Sequence, residues 1–339
     1  MEKIRLGRTN LMVTRTGFGA LPIQRISFAE AGEILRKAYV NGINFFDTAR
    51  MYSDSEEKIG QALGDVRSDI LLATKSMATD KKTLLEHLVI SLRNLKTDYV
   101  DILQLHNPKV LPDPNDPNSA YAGLLEARQK GYVRFLGLTN HSLSNALAAA
   151  DSGLYDTIQF PLNSLVSDQD LEIVRRCKAN NLGVIAMKGL SGGLITNVAS
   201  TFAFLRQYDN VVPIWGIQRL SELDEFLALE QNPPQLDEAM WAAINQDREE
   251  LAGDFCRGCG YCLPCPAGID IPIQARMAML LRRAPPQPFL TEAYRAKMDL
   301  INDCQNCGHC KDNCPYGLDT PELLRRMLRN YNDYYEANK

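Results

Sequence analysis

Four residues of this 339-residue chain have the types needed to hand a proton to a carbonyl oxygen. They are Asp47 and Tyr52, five residues apart in FFDTARMY, Lys75 in LLATKS, and His106 in LQLH. Hydride arriving at a carbonyl carbon leaves an alkoxide that a neighbouring acid must protonate. A phenol, with an ordinary pKa of about 10, is too weak for that task unless a cation beside it favours the phenolate. Lys75 supplies such a cation, Asp47 can hold and orient the ammonium, and His106 can donate a hydrogen bond that positions the carbonyl. Taken singly, each has a plainer reading: the Asp caps a helix, the loop Tyr packs, the Lys is exposed, and the His is structural. Together they fill every role in one mechanism.

A second chemistry lies further along. Eight of the nine cysteines fall between Cys256 and Cys314. CQNCGHCKDNCP sets Cys304, Cys307, Cys310 and Cys314 before Pro315 in a C-x2-C-x2-C-x3-C-P run. That spacing lets three thiolates wrap one [4Fe-4S] cubane while the fourth cysteine serves the other cluster. Upstream, CRGCGYCLPCP gives Cys256, Cys259, Cys262 and Cys265 before Pro266, one residue shorter. The spacing predicts crossed ligation, with Cys256, Cys259, Cys262 and Cys314 on one cluster and Cys304, Cys307, Cys310 and Cys265 on the other. Two C-x2-C pairs can instead build a tetrahedral zinc site, but eight cysteines in two triplet-plus-one groups exceed what one zinc needs. Cys177, in RRCKANN, is expected to pack in a core.

Elements must position these groups. Up to about residue 230, eight short apolar, β-branched runs alternate with amphipathic segments. They begin near Thr14, Ile43, Ile70, Tyr99, Val133, Thr157, Gly183 and Val211, and eight βα units close a barrel whose chemistry sits at the carboxyl ends of the strands. Ser27 with Glu30 reads as a capping box before AGEILRKAYV. NPKVLPDPNDPNS, after the fourth run, is a candidate substrate loop. Past Glu230 the rhythm breaks at QNPPQLDEAMW, and the remainder is helical and cysteine-rich. The expectation is an α/β fold: a (β/α)8 TIM barrel over residues 1–232, and a smaller, mainly α-helical iron-sulfur domain over 233–339.

The ordered set FDTA with Tyr52, ATK with Lys75, LH with His106, and GLTN with Thr139 and Asn140 resembles the aldo-keto reductase family over roughly the first two-thirds of the chain. The resemblance implies Tyr52 as general acid, assisted by Asp47, Lys75 and His106. It also implies NADP or NAD as cofactor, with Thr139, Asn140 and Gln159 where family members hold the nicotinamide carboxamide. Met187 and Lys188 stand where many members have an aromatic residue that stacks on the nicotinamide. Gly189 opens a glycine-bearing turn that either lets backbone amides approach a pyrophosphate or is a tight βα turn with no ligand. Gln218 and Arg219 can approach a 2′-phosphate, while Phe226 stands where an Asn is usual. The cysteine-rich end is similar to bacterial two-cluster ferredoxins in an α-helical setting, which implies two [4Fe-4S] clusters.

Composition narrows the partners. With 45% hydrophobic residues the chain can bury a core, and a net charge of -4 with interspersed Lys and Arg offers no footprint for nucleic acid. The first residues, MEKIRLGRTN, lack the apolar run of a signal peptide, and no later stretch approaches a membrane span, so the expected location is the cytoplasm. The expected activity is hydride transfer between a nicotinamide and a small carbonyl or alcohol substrate, with the clusters sensing or passing electrons to a redox partner protein. Two other readings are an electron-transfer component whose barrel mainly docks a nucleotide or partner, and a non-catalytic binding module.

Overall fold

A computed structural model describes residues 1–251, 255–283 and 286–338. The chain divides into two compact units, Met1–Gly189 with Ala199–Trp241 and Leu190–Val198 with Ala242–Lys339.

In the first unit the apolar runs become a closed parallel barrel of β3 (Gly17–Gly19), β4 (Phe45–Asp47), β5 (Leu71–Ser76), β6 (Val100–His106), β7 (Val133–Thr139), β8 (Thr157–Pro161), β9 (Gly183–Met187) and β10 (Val211–Gly216), with β10 pairing back to β3. Ahead of it β1 (Lys3–Arg5) and β2 (Met12–Thr14) form an antiparallel hairpin that the sequence pattern does not announce. Thr14 therefore ends the hairpin, and the first barrel strand starts three residues later at Gly17. Between and after the strands lie α1 (Phe28–Val40), α2 (Ser55–Leu63), α3 (Lys81–Leu95), α4 (Ala120–Gln129), α5 (Leu143–Asp151), α6 (Glu172–Ala179), α7 (Val198–Arg206) and α8 (Leu220–Gln231). The Ser27–Glu30 capping box forms as expected: the Glu30 amide donates to Ser27 Oγ at 3.2 Å and the Ser27 amide to Glu30 Oε2 at 2.8 Å.

Strand periodicity sorts the barrel interior into layers. Near the strand starts, Phe45, Ala73, Ile102, Ile185 and Val212 pack with Leu6, Leu11 and Val13 from the hairpin and its connection. Two residues on, three of these inward positions turn polar, Asp47 on β4, Lys75 on β5 and Gln104 on β6, while Met187 on β9 and Ile214 on β10 stay apolar. This switch places every titratable group of the site at the carboxyl ends.

The second unit is helical: α9 (Glu238–Glu250), inside which the division falls, then α10 (Ile271–Gln274), α11 (Met277–Arg283), α12 (Glu292–Asp299), α13 (His309–Asp312) and α14 (Thr320–Ala337). Asp319 caps α14 and Pro321 sits in its first turn. Its apolar stripe, Leu323, Leu324, Met327, Leu328, Tyr331 and Tyr335, recurs at helical spacing and packs with Ile271, Met277, Met298 and Ile301. Cys256, Cys262 and Cys310 belong to that same core.

Candidate functional site

Asp47 and Lys75 end adjacent strands, and both are essentially buried, at 2% and 1% exposure. Lys75 Nζ donates to Asp47 Oδ1, and also to the Thr48 carbonyl at 2.6 Å. Burial pushes the Lys75 ammonium below its usual pKa, against the pull of Asp47 and Glu56. Burial likewise raises Asp47, opposed by the Lys75 charge. Tyr52 lies in the turn after β4, with the Lys75 ammonium 5.4 Å from its ring centroid. The His106 ring meets the Tyr52 ring edge-on, centroids 5.9 Å apart. Four side chains from three strand ends and one loop thus converge on one place.

Sequence reasoning missed the groups that hold this set. Gln104 precedes His106 by two residues, so it faces the same interior, a signal that β periodicity carries. Its Nε2 donates to Asp47 Oδ2 at 3.1 Å and to Gln159 Oε1 at 2.7 Å. Gln159 in turn hydrogen-bonds to Asp47, which favours the carboxylate. Gly137 on β7 makes the space: a Cβ there would stand 2.8 Å from Gln104 Cγ and 2.6 Å from Thr157 Oγ1. On the outer face of β5, Thr74 Oγ1 donates to buried Glu56 at 2.7 Å.

The expected cofactor residues separate into groups. Thr139 Oγ1 lies 3.8 Å from Met187 Sδ, so these two sit together at the ends of β7 and β9. Gln159 also joins the Asp47 network. Asn140 braces loops, giving Nδ2 to the Pro108 carbonyl at 2.9 Å and accepting from the Ser142 amide at 2.8 Å. Lys188 adopts a left-handed backbone (φ 59°). At Gly189 a Cβ would fall 2.4 Å from the Trp215 ring, so the turn after β9 needs a glycine for packing alone. Phe226 stacks on Trp215 with ring centroids 4.6 Å apart, which turns that α8 position into core. Arg219 is exposed and ion-paired to Glu222 at 3.0 Å, and Glu222 also accepts from the Gln218 and Arg219 amides.

His106 is 6% exposed, and burial followed by the Lys75 charge holds its pKa well below 6.5. Burial does the same to nearby His141. Both imidazoles are therefore neutral at neutral pH, which suits His106 as a neutral donor. An unfolded chain takes up protons below about pH 6.5 while these folded imidazoles do not, so acid favours unfolding. Each depressed histidine should cost about 1.4 kcal/mol per pH unit below that point, until the folded imidazole itself protonates. Urea unfolding between about pH 6 and pH 5 should thus show a shallower pH slope for His106→Gln than for the parent; equal slopes would mean that His106 is charged in the fold.

In the second unit the thiols line two cavities. One, of about 370 Å³, is bounded by Cys265, Cys304, Cys307 and Cys310, with Cys262 also in its wall. The other, of about 330 Å³, is bounded by Cys256, Cys259, Cys262 and Cys314, with Cys310 shared. Among the described residues no group of three or more His, Cys, Asp or Glu closes on a single ion, as one tetrahedral metal would require. Eight soft thiolate donors arranged around two pockets fit two [4Fe-4S] clusters. Burial pushes the Cys262 thiol up to about 12 and raises Cys310, so iron is what would hold them as thiolates.

Residues 15–201 match the Aldo/keto reductase family. The chain belongs to that family. Residues 255–319 of this aldo/keto reductase match the 4Fe-4S dicluster domain, so a reductase barrel and a dicluster module are joined in one chain. L-galactose dehydrogenase of Arabidopsis thaliana is 31% identical over 219 residues, covering 58% of this chain and 67% of that protein. Aldo-keto reductase YhdN of Bacillus subtilis is 27% identical over 216 residues, covering 58% and 64%. The chain thus spans about two-thirds of the length of these relatives. Among solved structures, an aldo-keto reductase of Bacillus halodurans superposes with a TM-score of 0.64 at 19% identity, covering 73% of this chain and 96% of that one. One from Klebsiella pneumoniae in complex with NADP and acetate gives 0.63 at 20% identity, covering 72% and 94%. These likenesses establish the barrel fold for this reductase.

Proposed function

We propose that the barrel interconverts small carbonyl compounds and alcohols with NADP(H) or NAD(H), and that the C-terminal unit binds two [4Fe-4S] clusters. The observation that carries the first part is the buried Lys75 ammonium 5.4 Å from the Tyr52 ring, held in place by Asp47. In this reading Tyr52 gives its phenolic proton to the substrate oxygen, and Lys75 stabilises the phenolate left behind. His106, neutral, donates a hydrogen bond to the carbonyl and fixes its angle to Tyr52. Asp47, itself held by Gln104 and Gln159, keeps Lys75 in register.

Bound nicotinamide supplies the hydride. In this reading Thr139, with Met187 beside it, and Asn140 and Gln159, from the ends of β7 and β9 and from β8, would hold its amide-bearing end. Lys188 and Gly189 would contact the pyrophosphate, and Gln218 and Arg219 the adenosine end. The NADP in the Klebsiella relative supports NADP as one cofactor form. Pairing of Arg219 with Glu222 offers no fixed preference for a 2′-phosphate, so NAD is the other.

Hydride carries two electrons and each cluster accepts one, so the carbonyl chemistry needs no cluster as intermediary. The eight cysteines would hold clusters that would exchange single electrons with a redox partner protein. A reducing compartment such as the cytoplasm keeps the thiols available for iron, and no helix among the described residues is long and apolar enough to cross a membrane.

The test is a stopped-flow assay of anaerobically reconstituted protein with NADPH, NADH and a panel of aldehydes. Nicotinamide oxidation matching aldehyde loss one for one, with no added acceptor, is the expected result. Oxidation that requires a one-electron acceptor would replace this reading with that of an electron-transfer component whose barrel docks a nucleotide.

A further inference from the structure

The two sulfur-lined cavities differ in the charge of their walls. Around Cys265, Cys304, Cys307 and Cys310 the polar lining is Gln305, Asn306 and His309, and Cys307 is exposed. Around Cys256, Cys259, Cys262 and Cys314 the wall includes Arg257.

Arg257 follows the first cysteine directly and is held rigidly. Its guanidinium carbon lies 4.5 Å from the Phe255 ring centroid and 4.6 Å from that of Tyr316, and its Nη1 donates to the Phe255 carbonyl at 3.2 Å. A second guanidinium approaches the same run from behind. Arg276, 6% exposed, donates to the Pro272 carbonyl at 2.7 Å and to the Gly192 carbonyl at 2.8 Å. Its Cζ is so near Gly258, between Cys256 and Cys259, that a Cβ there would sit 3.1 Å away. Gly258 also needs its left-handed backbone (φ +62°), so the close approach is built into the fold.

Reduction of an iron-sulfur cluster adds one negative charge. A fixed cation nearby favours the reduced form, the more so where water is partly excluded. Solvent exposure at Cys307 also favours reduction, but two permanent charges held against one cysteine run outweigh partial exposure to a screening solvent.

We propose that Arg257 and Arg276 make the cluster site of Cys256, Cys259, Cys262 and Cys314 the easier of the two to reduce. An electron that enters at the exposed Cys307 edge then comes to rest beside Arg257. The inference rests on the two-cluster reading and not on the carbonyl chemistry. In balance, an external one-electron donor is oxidised, the site at the exposed edge is reduced and then reoxidised as the Arg257 site is reduced, and no bond or proton is involved.

The experiment is an anaerobic potentiometric titration with dithionite, read by EPR, on the reconstituted full-length protein. The parent should show two one-electron steps. Arg257→Gln should lower the higher-potential step by roughly tenfold in the reduced-to-oxidised ratio at fixed potential, about 59 mV for one electron, and leave the other step in place. Arg257→Lys keeps the charge and should recover most of the shift. Cys307→Ser should alter only the signal that appears second. A shift confined to the lower step, no shift in either, a Lys variant displaced as far as the Gln variant, or a Cys307→Ser change in the first signal would each overturn the assignment. Should Arg257→Gln lose its iron, the Lys and Cys307 variants decide alone. One-step spectra with half the iron would refute the two-cluster reading itself.

Discussion

Tyr52→Phe is expected to lower kcat for carbonyl reduction by about 10²–10⁴-fold, the range that a positioned general acid contributes. The substitution removes one hydroxyl from a half-buried ring whose contacts include the Lys75 ammonium, 5.4 Å from the ring centroid, and the His106 ring, 5.9 Å between centroids. The ring can stay where it is, so nucleotide affinity and cluster absorbance should hold while turnover falls. A drop in kcat and kcat/KM together, with KM little changed, marks an interaction made only in the transition state. Retention of more than about a tenth of the parental kcat would remove Tyr52 from the role of acid.

Lys75→Met should do two separable things. On the proposed mechanism it deletes the cation that would stabilise the Tyr52 phenolate, so turnover should fall at least as far as in Tyr52→Phe. It also leaves the Asp47 carboxylate buried without its counter-charge, facing only Gln104 and Gln159. Breaking a buried ion pair on one side costs about 3–5 kcal/mol. Urea unfolding followed by tryptophan fluorescence reads the barrel unit, because Trp215 and Trp241 both lie within it. Adding Asp47→Asn to Lys75→Met should recover most of the stability, since the orphaned charge is gone, and none of the activity. If the double variant is as unstable as the single one, the cost comes from packing around the lysine stem and not from the pair. If the Met variant still turns over, Lys75 is a structural cation.

What the sequence determined by itself is whatever short spacing controls. Four cysteines within one short run lie close in any fold, so their capacity to ligate is written in the chain. Asp47, Lys75 and His106 each end an apolar run, and strand ends are where a closed barrel gathers chemistry. The eight runs and the capping box at Ser27 are likewise local, governed by side-chain alternation and by hydrogen bonds a few residues apart.

Only the tertiary structure decided which distant residues meet. The bond from Gln104 to Gln159 spans 55 residues and exists because β6, β7 and β8 pair in one register, with Gly137 leaving room between them. Gln159 therefore supports Asp47, a contact that the sequence pattern does not announce. Phe226 became core because Trp215 lies across from it, and Leu190–Val198 joined the helical unit even though it follows a barrel strand in sequence. In the cluster unit, the placing of Cys265 beside Cys304, Cys307 and Cys310, and of Arg276 behind Gly258, depends on how helices pack across a core. Burial and long-range contact are properties of the folded whole. A one-dimensional pattern states which groups are present, and chain closure sets which of them share a dielectric and a charge.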